Sequence, residues 1–191
     1  MVPKLFIGRI PDLFGTTVNR TIVISNRQNV RRVNLAIFRR AARIVIADLL
    51  NLQTFELGVS LVGSTEMATL NESFLHHKGS TDVITFDYAE PRPERISDKS
   101  GQWDIECPRR ALHGEIFICI NEAESQACRF RTTWQKEIAR YLIHGVLHLC
   151  GYDDLQTSAR RRMKRTEDRL LLKLGKEIQL RNLGLRRKRG G

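Results

Sequence analysis

One short segment, H-G-V-L-H-L-C-G-Y-D-D at 144–154, constrains the local fold more tightly than any other part of the chain. His144 and His148 lie in an apolar background that is typical of a helix. Four residues turn a helix by about 400°, so the two imidazoles lie on one face, one turn apart. Gly151 suits the left-handed residue that ends such a helix, and Asp154 follows on the returning chain. The segment therefore predicts a helix and turn that bring two imidazoles and one carboxylate together.

These three side chains form a donor set that suggests a metal site. Two histidines and one carboxylate with an open coordination position are typical of catalytic zinc, and they also suit other divalent transition metals. An ion of this kind makes its bound water acidic enough to act as hydroxide near neutral pH. The alternative, two structural histidines on a helix, leaves the helix-ending glycine and the returning carboxylate unexplained. The sequence therefore predicts that His144, His148 and Asp154 bind a metal ion.

The spacing of the segment matches the metal motif of the metzincins, with two departures. Gly145 stands where that motif has a glutamate, and Asp154 stands where it has its third histidine. Because that glutamate is the general base of zinc proteases, Gly145 argues against peptide hydrolysis by that route.

Hydrophobic patterning along the chain predicts an α+β fold with a single domain. Strands are predicted at 20–27, 54–62, 83–86 and 114–120. The last of them is near-continuously apolar and should be central. Helices are predicted at 33–50, 64–75, 121–131, 133–150 and 157–174. Ser64, Asn121 and Thr132 are expected to cap helices, and Gly175 to end the last one. The expected architecture is a mixed β-sheet of about four strands packed with helices, one of them a zincin-like metal-binding helix.

The chain has 191 residues, of which 41% are hydrophobic, enough to form a core in one domain. We expect this domain to span 1–176, with its core at about 20–175, and to be followed by a basic, mobile tail at 177–191. Residues 88–112 contain three prolines and predict a long loop.

Several sequence features indicate the cellular compartment of the protein. No apolar run reaches the roughly 18 residues of a membrane span, and the N-terminus lacks the apolar core of a secretory signal. Four cysteines, irregularly spaced and without a C-x-x-C pair, predict free thiols in a reducing environment. We therefore expect a cytoplasmic protein with no membrane partner.

Positive charge is in clear excess, with 32 Lys+Arg against 21 Asp+Glu and a formal net charge of +11. Basic clusters lie at 27–43, 160–165 and 181–189. Such a surface favours a polyanion, because phosphates neutralised by Lys and Arg release counterions. The alternative is a solvated helix face and a frayed tail. We expect a nucleic acid partner.

Three blocks of the sequence resemble the YbeY family of bacterial metal-dependent endoribonucleases, which act in ribosomal RNA maturation. The segment 144–154 is similar to that family's H-G-x-L-H-L-x-G-Y-D-H. L-N-E-S-F-L at 70–75 and S-T-D-V-I-T-F at 80–86 resemble its L-N-x-x-[FY]-R and P-T-D-V-L-S-F. G-E-I-F-I-C at 114–119 resembles its G-D-I-x-I-C. The blocks occur in family order, and the resemblance covers about residues 20–175.

The resemblance implies a single-strand-specific endoribonuclease with one zinc ion per chain. Its substrate would be single-stranded RNA, and its partners small-subunit rRNA and the ribosome. The implied role is in 16S rRNA 3′-end maturation and ribosome quality control. No nucleotide cofactor is expected.

The sequence departs from the family pattern at two functional positions. Asp154 replaces the usual third histidine, which bears on metal affinity and metal preference. Leu75 stands where the family has an arginine, an expected phosphate contact. His76, His77 and Lys78 follow it directly and are candidates to take over that contact with the substrate.

The base that accepts the proton of water is not identified by the sequence. The candidates are Glu137, His76 and His77. Glu137 lies about two turns upstream on the ligand face and also fits a residue that orients a ligand, or a surface or capping-turn charge. Thr81 and Asp82 begin the third predicted strand, where they are candidates to bind substrate or a metal ligand, or only to satisfy their own backbone.

Two other functions stay open. One is a non-catalytic RNA-binding ribosome assembly factor whose zinc is structural, in which loss of a ligand would destabilise the fold. The other is a metzincin-like peptidase, which would need a general-base carboxylate at the metal.

Overall fold

A mixed sheet organises the part of the chain that the computed structural model describes, residues 19–89 and 111–185. Its four described strands are β1 (Arg20–Asn26), β2 (Thr54–Val62), β3 (Val83–Asp87) and β4 (Ala111–Cys119). Their order across the sheet is β1-β2-β4-β3, with β1, β2 and β4 parallel and β3 antiparallel at one edge. The predicted α+β fold with a mixed sheet is confirmed, as is the central place of β4.

The helices in this part of the chain are α1 (Leu35–Arg43), α2 (Ser64–Leu70), α3 (Ile120–Phe130), α4 (Trp134–Leu149) and α5 (Thr157–Glu177). α1 and α2 each continue into a π-helical turn, at Ile44–Leu49 and Asn71–Leu75. The helical stretches predicted at 33–50 and 64–75 are therefore confirmed in extent. A 3-10 turn at Leu180–Leu183 follows α5. No helix in the described ranges is both long and apolar enough to cross a membrane.

The main core lies between the sheet and the apolar face of α4. Phe55, Leu57 and Val59 alternate along β2 and are buried, as their period of two predicts. α4 packs across β3 and β4. Its apolar stripe is fully buried and consists of Ala139, Leu142, Ile143, Val146 and Leu147. Because this stripe faces the sheet, a second face of α4 is left for other contacts.

Gly145 determines how closely α4 approaches β4. A Cβ atom at position 145 would lie 2.8 Å from Cγ2 of Ile116, a fully buried side chain of β4. That separation is well below van der Waals contact, so any side chain at this position would push the helix away from the sheet. Glycine at position 145 is therefore a packing requirement.

Helix caps differ from the predictions. α4 is capped by Thr133, whose hydroxyl accepts the Lys136 N–H at 3.3 Å, and not by Thr132. α3 follows β4 without an intervening residue, so Asn121 lies inside the helix and does not cap it. The Asn121 Oδ1 instead accepts the N–H of Ser64 at 2.9 Å. Ser64 is the first residue of α2 and does not cap that helix. This hydrogen bond joins the first turns of α2 and α3, a contact that the sequence pattern does not predict.

The C-terminal part of the chain is also more ordered than predicted. α5 continues through Gly175 to Glu177. Leu183 is fully buried, and its carbonyl oxygen accepts the N–H of Asn34, the cap of α1, at 2.8 Å. The prediction of a mobile tail at 177–191 is therefore wrong as far as residue 185, and residues 186–191 lie outside the described part of the chain.

The predicted loop and the cysteines are described only in part. Most of the predicted loop 88–112 lies outside the described residues, and its last two residues belong to β4. Cys119 and Cys128 are free thiols, as predicted. Cys150 is disulfide-bonded, so the prediction of free thiols is wrong there.

We expect Gly145→Ala to lower the free energy of unfolding by about 1–2 kcal/mol, because overpacking against Ile116 outweighs the gain in helix propensity. Gly175→Ala is the matched control, since Gly175 is also helical but a Cβ there meets nothing within 4 Å. The control should raise the free energy of unfolding by about 0.5–1 kcal/mol. Urea unfolding followed by circular dichroism measures both. Equal stabilisation by the two changes would contradict the packing role of Gly145.

Candidate metal centre

The three predicted ligands lie together at the C-terminal end of α4. His144 Nε2 and His148 Nε2 are 3.1 Å apart. One donor atom from each histidine and a carboxylate oxygen of Asp154 all lie within 4.8 Å of one another. All three side chains are partly buried. The structure therefore brings the two imidazoles and the carboxylate into one cluster that could hold a metal ion.

A helix-ending turn returns Asp154 to the two histidines. Gly151 has a φ of 91°, in the left-handed region. Its N–H donates to the His148 carbonyl oxygen at 2.8 Å, and the Tyr152 N–H donates to the Leu147 carbonyl oxygen at 3.0 Å. These two hydrogen bonds define a Schellman motif, whose left-handed residue is usually glycine. The predicted helix-ending role of Gly151 is confirmed.

Protein acceptors hold the second nitrogen of each imidazole. His144 Nδ1 lies 3.1 Å from Glu167 Oε2, and His148 Nδ1 lies 3.2 Å from the Tyr152 carbonyl oxygen. When each Nδ1–H is donated to its acceptor, both Nε2 lone pairs are free and face the same point. Histidines that bind metal ions are usually held in this way. The donor set and its hydrogen bonds therefore fit a divalent ion.

Glu167 of α5 is 4% exposed and has two cationic partners and one imidazole partner. Arg140 Nη1 and Lys164 Nζ lie 2.5 Å and 3.2 Å from its Oε1, while its Oε2 is bound to His144. Burial by itself raises the pKa of Glu167, but hydrogen bonds from His144 and Arg140 and the charge of Lys164 outweigh it and lower the pKa to about 2. Glu167 is therefore an anion at neutral pH.

The two histidines have opposite pKa shifts. Burial lowers the pKa of His144, but the hydrogen bond and charge of Glu167 more than offset this and raise it above its usual value. Burial and the charge of His144 both lower the pKa of His148. A proton that enters the pair is therefore held by His144, beside the carboxylate.

The amino-acid sequence does not single out Glu167, although it contains one signal. This glutamate occupies an apolar position of α5, in step with buried Met163, Leu170, Leu171 and Leu174. A carboxylate on the buried face of a helix needs charged or hydrogen-bonding partners. Which partners it finds depends on how α5 packs on α4, and the sequence of α5 does not contain that information.

Glu137, a candidate base, is buried in the first turn of α4. Its carboxylate accepts the hydroxyl of Thr132, and its Oε2 lies 3.7 Å from Arg140 Nε. With His144 it lines a cavity of about 550 Å³, which is larger than a second cavity at the site. Its contacts are those of a charge in the capping turn, one of the interpretations that the sequence allowed.

The segment after α2 borders the other cavity, of about 170 Å³. Leu75 lines this cavity together with both ligand histidines. His76, with a φ of 57°, His77 and Lys78 follow Leu75 and are exposed. The structure thus places these three predicted residues directly after a cavity-lining residue and outside the ligand cluster.

Thr81 and Asp82 form a turn at the start of β3. Asp82 Oδ1 accepts the Thr81 hydroxyl at 3.1 Å and the Val83 N–H at 3.0 Å. These bonds match the interpretation of a turn that satisfies its own backbone. Asp82 also lines the larger cavity together with His144.

Comparison with known proteins identifies similar sequences. A family model described as Endoribonuclease YbeY matches residues 23–175. An Endoribonuclease YbeY of Chlorobium luteolum is 33% identical over 144 residues, which cover 75% of this chain and 91% of the relative. An Endoribonuclease YbeY of Acidothermus cellulolyticus is 36% identical over 116 residues, which cover 61% of this chain and 68% of the relative.

The fold has a counterpart among solved structures. The solution structure of a protein from Thermotoga maritima superposes with a TM-score of 0.54 at 23% identity. The match covers 82% of this chain and 91% of that protein. It supports the α+β architecture described above.

We expect Glu167→Gln to weaken Zn²⁺ binding by about 10- to 100-fold, because His144 loses the anionic acceptor that orients its ring. Asp168→Asn is the matched control on the next residue of α5. Asp168 also binds Arg140, at 2.7 Å, but its side chain is 52% exposed. Competition with a chromophoric chelator measures both affinities. Equal affinity in the two variants would contradict an orienting role for Glu167.

The same carboxylate should make the metal-free fold sensitive to acid. The pKa of Glu167 is lowered from 4.5 to about 2, so its ionised form stabilises the fold above pH 4.5. That contribution is lost as the pH falls toward 2. Between these pH values we expect the wild type to lose about 2–3 kcal/mol more unfolding free energy than Glu167→Gln. Urea unfolding at a series of pH values measures this difference, and parallel pH profiles would contradict it.

Proposed function

The chain belongs to the YbeY family of endoribonucleases, and on this basis we propose that it cleaves single-stranded RNA with one zinc ion held by His144, His148 and Asp154. The observation that carries the proposal is the convergence of these three donors within 4.8 Å. When bound there, the ion supplies Lewis-acid polarisation of a phosphoryl oxygen and a source of hydroxide near neutral pH.

The residues around the ligands prepare them for this task. Glu167 holds a proton at His144 Nδ1, and the Tyr152 carbonyl oxygen holds one at His148 Nδ1. Each contact keeps an Nε2 lone pair available and fixes the ring orientation. Asp154 adds a negative charge that a third histidine would not, so the bound ion retains less net positive charge than in a three-histidine site.

A cluster of basic residues borders the site and supports a polyanionic substrate. Arg160, Arg161 and Arg162 are exposed in the first turns of α5. Arg160 Nε donates to the Asp154 carbonyl oxygen at 2.9 Å, which places the start of this cluster directly beside a ligand. Cationic side chains at this place can bind the RNA backbone and position the scissile phosphate, without reading the sequence of the bases.

Family membership and net charge also support a proposal for the RNA substrate and the cellular role. We propose that the substrate is small-subunit rRNA in the cytoplasm, where the protein matures the 16S rRNA 3′ end and takes part in ribosome quality control. The net charge of +11 suits a ribosomal partner. The chemistry requires no nucleotide cofactor.

The geometry argues against the peptidase alternative. A zinc protease of this type places its general-base glutamate at position 145. Position 145 is packed against Ile116 of β4, and a Cβ atom there would lie 2.8 Å from Cγ2 of Ile116. A glutamate would not fit there without moving α4, so the site lacks both that base and the room for it.

We expect His148→Ala to reduce cleavage of a 3′-extended single-stranded small-subunit rRNA fragment by more than about 100-fold, since loss of a ligand should exceed the loss caused by an outer contact. His113→Ala is the matched control. His113 is exposed, and its Nε2 lies 3.9 Å from Oε2 of Glu56. Its side chain projects from the sheet face opposite α4. Cleavage is followed with the zinc-loaded proteins after circular dichroism has established that both variants fold.

Two results would overturn the proposal. If wild type and His148→Ala cleave equally, the nuclease activity does not depend on this metal centre. If neither cleaves while both bind the RNA, the protein fits the alternative of a non-catalytic assembly factor. In that case the unfolding free energy of His148→Ala should fall together with its zinc content.

A further inference from the structure

The larger cavity beside the metal centre has no role in the chemistry described so far. It has a volume of about 550 Å³ and is lined by residues of α3, α4 and α5. On α4 it extends from Glu137 to His144, seven residues and therefore about 10 Å along the helix. Its volume is within the range of small-molecule sites, about 300–1,000 Å³. A group bound there would lie next to a metal ligand.

An aromatic side chain lines this cavity from the end of α3. Phe130 is 62% exposed, and the Arg129 guanidinium lies 5.4 Å from its ring centroid. An exposed phenyl ring is a platform on which an RNA base can stack, because every base has a π face. The neighbouring guanidinium can add a cation–π contact to a bound base.

A polar atom in the same cavity lacks a partner. Gln126 lies one turn before Phe130 on the same face of α3 and also lines the cavity. Its Oε1 is buried and has no hydrogen-bond partner within the part of the chain that the structure describes. A buried acceptor without a donor is costly to the fold. A ligand that donates a hydrogen bond here would remove that cost.

The other polar groups of the cavity limit what the ligand can be. Asp82 and Glu137 add carboxylates to its wall, while Arg140 and Lys164 are bound to Glu167. A wall with an unpaired amide oxygen and carboxylates favours a ligand rich in N–H donors. Adenine, cytosine and guanine carry an exocyclic amino group, whereas uracil has only its N3–H, which lies between two carbonyl oxygens that the carboxylates would repel.

We propose that this cavity is a nucleoside subsite, in which an RNA base stacks on Phe130 and donates its exocyclic amino group to Gln126 Oε1. The inference rests on the proposed endoribonuclease function and adds a base preference to it. The subsite places an amino-bearing base at a fixed position beside the cleaved phosphodiester, because the cavity and the metal centre share His144. Uridine is disfavoured at that position.

The test uses the zinc-loaded full chain and a pool of single-stranded RNA with randomised sequence, whose cut positions are read by sequencing. In the wild type we expect adenosine, cytidine and guanosine to exceed uridine by about fivefold or more at one position fixed relative to the cut. Gln126→Met keeps the length of the side chain and removes the acceptor. It should abolish this preference while cleavage of the pool continues.

The stability of Gln126→Met distinguishes a role of Gln126 in base binding from a structural role. Because Gln126→Met removes a buried, unpaired acceptor, it should leave the midpoint of urea unfolding unchanged or raise it. A variant that is as stable as the wild type and has lost base preference supports the subsite. A variant that keeps the wild-type preference overturns it.

The aromatic platform is tested in the same assay. Phe130→Ala should raise KM for the pool by about fivefold or more and leave kcat nearly unchanged, since stacking holds the base without touching the reacting atoms. Phe74→Ala is the matched control, because Phe74 is 54% exposed but packs against Phe86 and does not line the cavity. Equal effects of the two changes would contradict stacking on Phe130.

Failure of the subsite and failure of the proposed function give different results. If the wild type cleaves the pool with no base preference near the cut, the subsite is wrong and the nuclease function stands. If the wild type cleaves no RNA, the nuclease function fails, and titration of the ¹⁵N-labelled full chain with AMP and UMP decides the subsite. Tighter binding of AMP that is lost in Gln126→Met would support it, and equal binding of the two nucleotides would overturn it.

Discussion

The close approach of α4 to β4 at Gly145 is the contact on which the geometry of the site depends. The helix buries a continuous apolar stripe against the sheet, and glycine lets its backbone come near Ile116. Once that face is fixed, the 3.6-residue period of the helix determines where His144 and His148 project. The Schellman turn at Gly151 then returns the chain so that Asp154 meets them. A rigid helix and a defined turn therefore place ligands that are ten residues apart in sequence.

Buried charge holds the neighbouring helix in place. Glu167 on α5 binds His144 and Arg140 on α4, so one carboxylate joins the two helices and orients a ligand at the same time. A buried carboxylate without these partners would be strongly destabilising, and the same partners keep its pKa low. The stability of the α4–α5 contact and the tautomer of His144 are consequently linked through one residue.

Two different cavities adjoin the cluster of His144, His148 and Asp154. One is a small cavity that includes Leu75, and the other is the larger cavity that includes Phe130 and Gln126. Exposed arginines of α5 begin next to Asp154. An extended polyanion that crosses this surface would meet cationic side chains for its backbone and a polar cavity for a base. In our proposal, affinity comes mainly from the first of these and selectivity from the second.

The amino-acid sequence by itself determined the local parts of this protein. The alternation in β2, the His144–His148 spacing and the role of Gly151 depend on neighbours within a few residues, so they can be predicted. The excess of positive charge follows from composition alone. Tertiary structure decided the contacts between distant segments. Asn121 binds Ser64 and does not cap its own helix, Leu183 is buried beside α1, and Glu167 reaches His144 from 23 residues away. Such pairings depend on how helices pack across the sheet, and no local period encodes that arrangement.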